Sequence, residues 1–345
     1  MAACAGAAGP APRAPSGLAT PSLPAASVPF ATPLPGASGA TPSSAAPAVS
    51  ARSPAATSGA HGSAAPPSAT GAPGPTSSTP AAGGSLPAFG HVYLIVLENR
   101  DYGQIVGNAS APYLNELIAR YGLATNYHAV AHPSEPNYIA LFSGSTQGVT
   151  DDGVHDIGAA NLATQLEAHG RTWRVYAQNV PGGCYTGYSA SGGVDGPGTY
   201  ARKHEPAISF TDISGSPGRC ANIQDLHAFD PAAADFELII PNMCNDMHDC
   251  STATGDTWLR SFVPRILDSA AWRTGGALFI TFDEGFGQGN QVATLVISPS
   301  VGSGLRSDIP FDHYSLLRTI QDAWGLGCLA NSCRANDMRA FWAGG

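Results

Sequence analysis

Lysine is almost missing from this chain: Lys203 is the only one in 345 residues. The chain has no basic run, which argues against nucleic acid as a partner, because phosphate backbones are gripped by grouped cations. No CxxC pair occurs, so the common structural zinc spacings are absent. No stretch is long and apolar enough to span a bilayer, and no internal repeat is visible. Before Glu98 there is no acidic residue, and the first 86 residues carry only Arg13 and Arg52 as charges. That stretch is Ala, Pro, Ser, Gly and Thr, with too few large apolar side chains to offset the entropy of ordering. Residues 1–86 are expected to be a disordered low-complexity linker, and residues 87–345 a single domain large enough for a buried core.

The formal charge of the whole chain is −9 and the linker contributes +2, which leaves −11 on the domain. Such acidity serves solubility, and it is compatible with a cation held among carboxylates. Six of the seven cysteines, Cys184, Cys220, Cys244, Cys250, Cys328 and Cys333, fall in the domain. An even set suits disulfides and an oxidising, extracytoplasmic compartment. The short separations favour Cys244–Cys250 and Cys328–Cys333. The opening Met-Ala-Ala-Cys looks like the end of a bacterial lipoprotein signal, in which case Cys4 carries a lipid and the linker spaces the domain from the membrane. That anchor is the only membrane contact expected, and the expected form is a monomer, secreted or tethered at the cell surface.

Residues 91–97 contain VYLIVL, continuously apolar and β-branched, and read as a strand covered on both faces. Helical spacing follows at 112–121, then a short apolar piece at Leu123. Further strands are expected at 172–177, 236–240, 277–282 and 292–298, and helices at 138–143, 159–169, 256–271 and 314–324. The Gly-rich stretch 181–199 shows no pattern. Strands alternating with helices imply an α/β fold with a largely parallel central sheet flanked by helices. In such sheets ligands gather at the carboxyl ends of the strands.

Three motifs fall at or just after strand ends. Glu98 and Asn99 follow the first strand directly, and Asp283 and Glu284 follow the 277–282 strand. Adjacent carboxylate and amide oxygens are hard ligands suited to Ca, Mg or Mn. Paired acids repel unless something positive lies near. Ser134 lies in HPSEPNY, flanked by Pro133 and Pro136, where the chain turns into a helix. Its hydroxyl at a helix N-terminus suits a cap, the preferred reading of the motif by itself, and the same oxygen can serve at once as a nucleophile beside a bound anion. Lys203 with His204, then His248, His313 and His132, complete the set of side chains placed to reach a strand-end cleft.

Together VLEN, HPSEPNY, YARKHEP, PNMCNDMHD and FITFDEG resemble the bacterial phosphoesterase family of secreted acid phosphatases and phosphatidylcholine-type phospholipases C, within the alkaline-phosphatase-like superfamily. The resemblance runs from about His91 to the last helix. It is nearest to secreted acid phosphatases of the kind described as phosphatidylinositol-3-phosphatases. It implies an alkaline-phosphatase-like fold and one divalent cation held by Glu98, Asn99, Asp283 and Glu284. It implies Ser134 as nucleophile through a phosphoserine intermediate, with Lys203 and His204 stabilising the phosphoryl group and His248 protonating the leaving oxygen. His132 and His313 match as further substrate contacts. The implied substrate is a small phosphate monoester or a phospholipid head group. The family's second acidic ligand is often Asp, whereas here it is Glu284, and the long insertions of larger relatives are missing. A phospholipase C-type phosphodiesterase would use the same residues with a wider pocket. A non-catalytic surface protein would use the acidic pairs as a structural cation site.

Overall fold

The computed structural model describes residues 85–182, 184–191, 198–287 and 289–343. The expected linker up to residue 84, and Cys4 with it, lies outside the described residues. The first strand, His91–Leu97 (β1), buries every side chain after His91. Apolar side chains on both faces leave a strand no side to turn to water, so it has to lie inside a covered sheet. The other strands of that sheet are Gly122–Ala124 (β2), Trp173–Ala177 (β3), Ile223–Asp225 (β4), Phe236–Ile240 (β5), Gly276–Phe282 (β6), Thr294–Ile297 (β7) and Arg306–Ser307 (β8). Their spatial order is β8-β2-β7-β6-β1-β5-β3-β4, so β1 lies well inside the sheet, between β6 and β5.

The sheet is mostly parallel, as expected, with one reversal: β7 is antiparallel to both β6 and β2. The cause is the short connection, residues 283–293, which leaves no room for a crossover helix, so the chain turns straight back. Strands β4 and β8 escaped the sequence reading, because two or three residues carry no periodic signal. The patternless Gly-rich stretch contains, in its described part, a small ribbon in which Ser189–Ser191 pairs antiparallel with Thr199–Ala201.

The main helices are Pro112–Arg120 (α1), Glu135–Ser143 (α2), Leu162–Ala168 (α3), Thr252–Leu267 (α4) and His313–Trp324 (α5). Helix α4 starts earlier than its apolar spacing suggested, because Ser251 accepts the Thr254 N–H and caps it there. All nine residues of α2 are buried, and it packs against α5. It stops at Gly144, which has a φ of 74°. A Cβ at that position would stand 2.1 Å from the Leu329 carbonyl oxygen, so only glycine fits. Three disulfides close loops: Cys184–Cys220, Cys244–Cys250 and Cys328–Cys333, the last two as the spacing favoured.

One buried charge stands apart from the strand ends. Glu237 on β5 is fully buried; one oxygen accepts the Ala234 N–H at 3.2 Å and the other has no partner. Burial, reinforced by Asp230, pushes its carboxyl up to about 8. The folded protein therefore keeps a proton that the unfolded chain releases near the ordinary 4.5. Stability from this group is whole below 4.5 and is lost as pH rises toward 8. Glu237→Gln keeps the shape and removes the charge. It is expected to raise stability at pH 8 by about 3 kcal/mol, with little effect at pH 4. Parallel urea titrations across that range would reject the assignment if the two proteins showed the same pH dependence.

Candidate active site

The parallel register of β1 and β6 sets Leu97 opposite Phe282. Glu98-Asn99 and Asp283-Glu284 therefore leave neighbouring strands at the same level. The Asn99 N–H donates to Asp283 Oδ1 at 3.1 Å, and the Asp283 N–H to the Leu97 carbonyl at 2.9 Å. On the other flank of β1, strand β5 runs into the loop closed by Cys244–Cys250. There the Asp246 carbonyl accepts the Glu98 N–H at 2.9 Å. Three adjacent parallel strands thus deliver their C-terminal ends, and their acids, to one place, as a parallel sheet predicts.

Ser134 is brought to these acids by α2. Asn137 ties down the approach: its Oδ1 accepts the N–H groups of Val130 and Ala131, and its Nδ2 donates to the carbonyls of Ala131 and Pro133. Ser134 occupies the cap position, yet its side chain makes no capping bond. Its Oγ, 1% exposed as a residue, turns instead to Glu98 Oε2 at 3.1 Å and Glu284 Oε1 at 3.3 Å. The expected double duty of cap and nucleophile is therefore not what the hydroxyl does. Beyond the cap, the helix start has little left for an anion: the Glu135 N–H goes to Asp152 Oδ1, Pro136 has none, and the Asn137 N–H goes to the Ser134 carbonyl.

Positive charge comes from two side chains next to each other in sequence. Lys203 Nζ is held by Asp152 Oδ2 at 2.9 Å. Burial would lower its pKa, but the Asp152 bond and the fields of Glu98 and Asp283 outweigh it and raise the ammonium above its ordinary value. His204, 1% exposed, has Nε2 3.1 Å from Glu98 Oε1, in ion-pair proximity without hydrogen-bond alignment, and Nδ1 3.3 Å from Asp246 Oδ2. Burial opposes its charge, yet Glu98 and Asp246 lift the imidazole to about 10, so it is a cation at neutral and acid pH. His132 Nδ1 bonds Glu284 Oε2, and its side chain is about half exposed at the mouth.

Two histidines stand elsewhere. His248 has Nδ1 on Asp249 at 2.7 Å and its ring 5.9 Å from that of His204. His313, expected as a substrate contact, is fully enclosed. Its Nε2 meets the Asp283 carbonyl at 2.6 Å and therefore carries the proton, and its Nδ1 accepts from the Tyr127 hydroxyl at 3.0 Å. Burial pushes its pKa down to about 4, keeping it neutral. With both nitrogens spent, His313 props Asp283 from behind and has nothing left for a substrate.

The profile of the Phosphoesterase family matches residues 107–327, which include Ser134, Lys203, His204, Asp283 and Glu284 and begin after Asn99. The chain belongs to the Phosphoesterase family. As a phosphoesterase it is a hydrolytic enzyme acting on phosphate esters. It is 33% identical to a phosphatidylinositol-3-phosphatase of Mycobacterium tuberculosis over 264 residues, covering 76% of this chain and 85% of that one. It is 29% identical to an acid phosphatase of Aspergillus fumigatus, covering 72% of this chain but 58% of that protein, so this phosphoesterase spans well under two thirds of the fungal relative. In fold it is similar to a lipoteichoic acid synthase of Listeria monocytogenes (TM-score 0.51, 9% identity, 74% of this chain and 76% of that one). It is likewise similar to a putative sulfatase of Bacteroides thetaiotaomicron (TM-score 0.51, 12% identity, 75% of each). At those identities the likeness concerns architecture alone.

Whether this phosphoesterase can hold a cation is a question of donors. Asn99 Oδ1 and Asp283 Oδ2 are buried and have no hydrogen-bond partner. Burial, with Glu98 and Glu284 close by, drives the Asp283 carboxyl well above its ordinary range, the signature of negative charge short of a counter-charge. Among the described residues no three His, Cys, Asp or Glu side chains are gathered as a metal cluster. The oxygen set here is mixed, with an amide and a hydroxyl among the carboxylates, and that chemistry fits a hard cation.

Several residues of the site were not assigned from sequence, although the motifs contained two of them. The Tyr138 hydroxyl donates to Glu98 Oε1, and Asp246 pairs with His204. Arg100 donates to the carbonyls of Asn99, Met247 and Cys250, tying the β1 end to the disulfide loop. Asp152 serves both Lys203 and the start of α2. Tyr138 and Asp246 lay inside HPSEPNY and the DMHD loop. Asp152, in a loop of its own, carried no local signal.

Proposed function

We propose that this phosphoesterase is an extracytoplasmic phosphomonoester hydrolase of the acid phosphatase type, working through transfer of the phosphoryl group to Ser134. The observation that carries this reading is the placement of the Ser134 hydroxyl between Glu98 Oε2 and Glu284 Oε1, with the cationic Lys203 and His204 beside them. The disulfides support an oxidising compartment, and among the described residues no helix is long and apolar enough to cross a membrane. The relatives' names, acid phosphatase and phosphatidylinositol-3-phosphatase, support a monoester as substrate.

A divalent cation held by Glu98, Asn99, Asp283 and Glu284 would supply positive charge beside the serine oxygen and ease its deprotonation. Ser134 Oγ attacks phosphorus in line with the ester oxygen, forming the Oγ–P bond as the P–O bond to the alcohol breaks. The hydroxyl proton has a path to Glu284 Oε1. His132, bonded to the other oxygen of that carboxylate and standing at the mouth, can return a proton to the departing alkoxide, which leaves as alcohol. Lys203 and His204 stabilise the equatorial oxygens, which is most of what phosphoryl transfer asks of a protein. Water then attacks the phosphoserine, and inorganic phosphate and free Ser134 result.

Acid quenching during turnover of an aryl phosphate, followed by proteolysis and mass spectrometry, is expected to find phosphate on the peptide bearing Ser134. Phosphate on another residue, or none with turnover intact, overturns the covalent route. Faster release from a diester such as bis-aryl phosphate or phosphatidylcholine would instead select the phospholipase C-type reading.

A further inference from the structure

Every side chain so far placed at this site is polar: Glu98, Ser134, Lys203, His204, Asp283 and Glu284. Pockets that hold organic ligands are lined mostly by apolar groups with a few polar ones to orient the ligand. Any apolar contact for an ester's alcohol would have to come from side chains outside this set. Among the described residues four large hydrophobic side chains are strongly exposed, and the three most exposed are Phe286 at 67%, Tyr188 at 57% and Val154 at 53%. Phe286 lies two residues beyond Glu284. Val154 lies two residues beyond Asp152, which grips Lys203. The Tyr188 carbonyl accepts the N–H of Arg202, next to Lys203. Single exposed hydrophobics are ordinary; three on loops bonded to one polar site are a distribution that calls for a cause.

Phe286 is also held firmly. Asp101 Oδ1 accepts the N–H groups of both Phe286 and Gly287 at 2.9 Å, and the Gly285 N–H donates to Asn290 Oδ1 at 2.8 Å. A pinned backbone presenting an aromatic ring to water is preorganised for a ligand surface. The domain's charge of −11, from −9 for the chain less +2 for the linker, disfavours a polyanionic body there.

We propose that Phe286, with Tyr188 and Val154, is a specificity-determining rim that selects phosphate monoesters whose alcohol has an apolar body, an alkyl or aryl chain, over small polar alcohols. The proposal rests on the monoesterase reading and sharpens its substrate class. Its test separates the two by measuring binding as well as turnover. Ser134→Ala protein is titrated calorimetrically with ethyl, butyl and octyl phosphate, and with inorganic phosphate. Affinity is expected to tighten about tenfold from ethyl to octyl, since each methylene sheltered from water is worth up to about a factor of four and the rim covers one side only. Adding Phe286→Ser is expected to erase most of that gain, leaving inorganic phosphate within about twofold. In the wild-type background kcat/KM should show the same chain-length trend and lose it with Phe286→Ser. Affinity independent of chain length, or a trend unchanged by Phe286→Ser, overturns the rim. Chain-length-dependent binding without turnover in the wild type keeps the rim and sinks the catalytic reading.

Discussion

Ser134→Ala is expected to lower turnover of an aryl phosphate by at least about a thousandfold while the protein stays folded. Both halves follow from where the hydroxyl points. Because Oγ makes no capping bond, helix α2 does not depend on it. The start of that helix is held by Asp152 and by Asn137, neither of which the substitution touches. Glu98 keeps Tyr138 and His204 as partners, so removing one oxygen leaves no acid alone in the site. What the proposed mechanism loses is its attacking atom, and with it the division of a slow hydrolysis into two easier steps. Thermal unfolding should move by no more than a few degrees. Ser134→Thr, which keeps a hydroxyl, should retain measurable activity. Ser134→Ala protein that hydrolyses the ester undiminished would remove Ser134 from the mechanism.

How far the sequence alone reaches can be traced residue by residue. VYLIVL on β1 announces its place because a strand apolar on both faces has one kind of home. Likewise, a short link can only return a chain antiparallel, although the direction of β7 was not drawn from the length of 283–293. The acids at the ends of β1 and β6 were legible as a pair of pairs, but their nearness depends on the register of Leu97 against Phe282, which no local pattern encodes. The histidines divide on the same ground. His204 and His313 look alike as neighbours of a cleft, yet one is held charged by Glu98 and Asp246. The other is enclosed, bonded at both nitrogens and neutral. Both rings are buried; the carboxylates beside His204 and the uncharged partners of His313 decide between them, and which partners meet a ring is a property of packing across the chain. The Ser134 hydroxyl shows the limit most sharply: a cap and a nucleophile share a position in sequence, and only the direction of Oγ separates them.

Removing the proposed cation is expected to cost this phosphoesterase both activity and stability, and the second effect is the more discriminating. Glu98, Asp283, Glu284 and Asp246 crowd the strand ends, where Lys203, His204, Arg100 and the half-exposed His132 are the nearby basic groups among the described residues. A ligand that binds only the folded form stabilises it by mass action, by about 3 kcal/mol at a hundred times its dissociation constant, or roughly 5–10 °C in a domain of this size. Dialysis against a strong chelator should therefore lower the melting temperature by several degrees and turnover by about a hundredfold or more. Returning Ca, Mg or Mn should restore both and identify which ion serves. Asp283→Asn turns the argument into a crossing. Asn keeps an oxygen for the Asn99 N–H and removes one of the repelling charges. The variant should then melt higher than the wild type in chelator and lower than it with the cation present. Loss of an ordinary buried hydrogen-bond partner would shift both conditions the same way. Chelated wild-type protein that keeps its melting temperature and its turnover would mean that the basic side chains around these acids balance them without a metal, and that Ser134 is activated by Glu98 and Glu284.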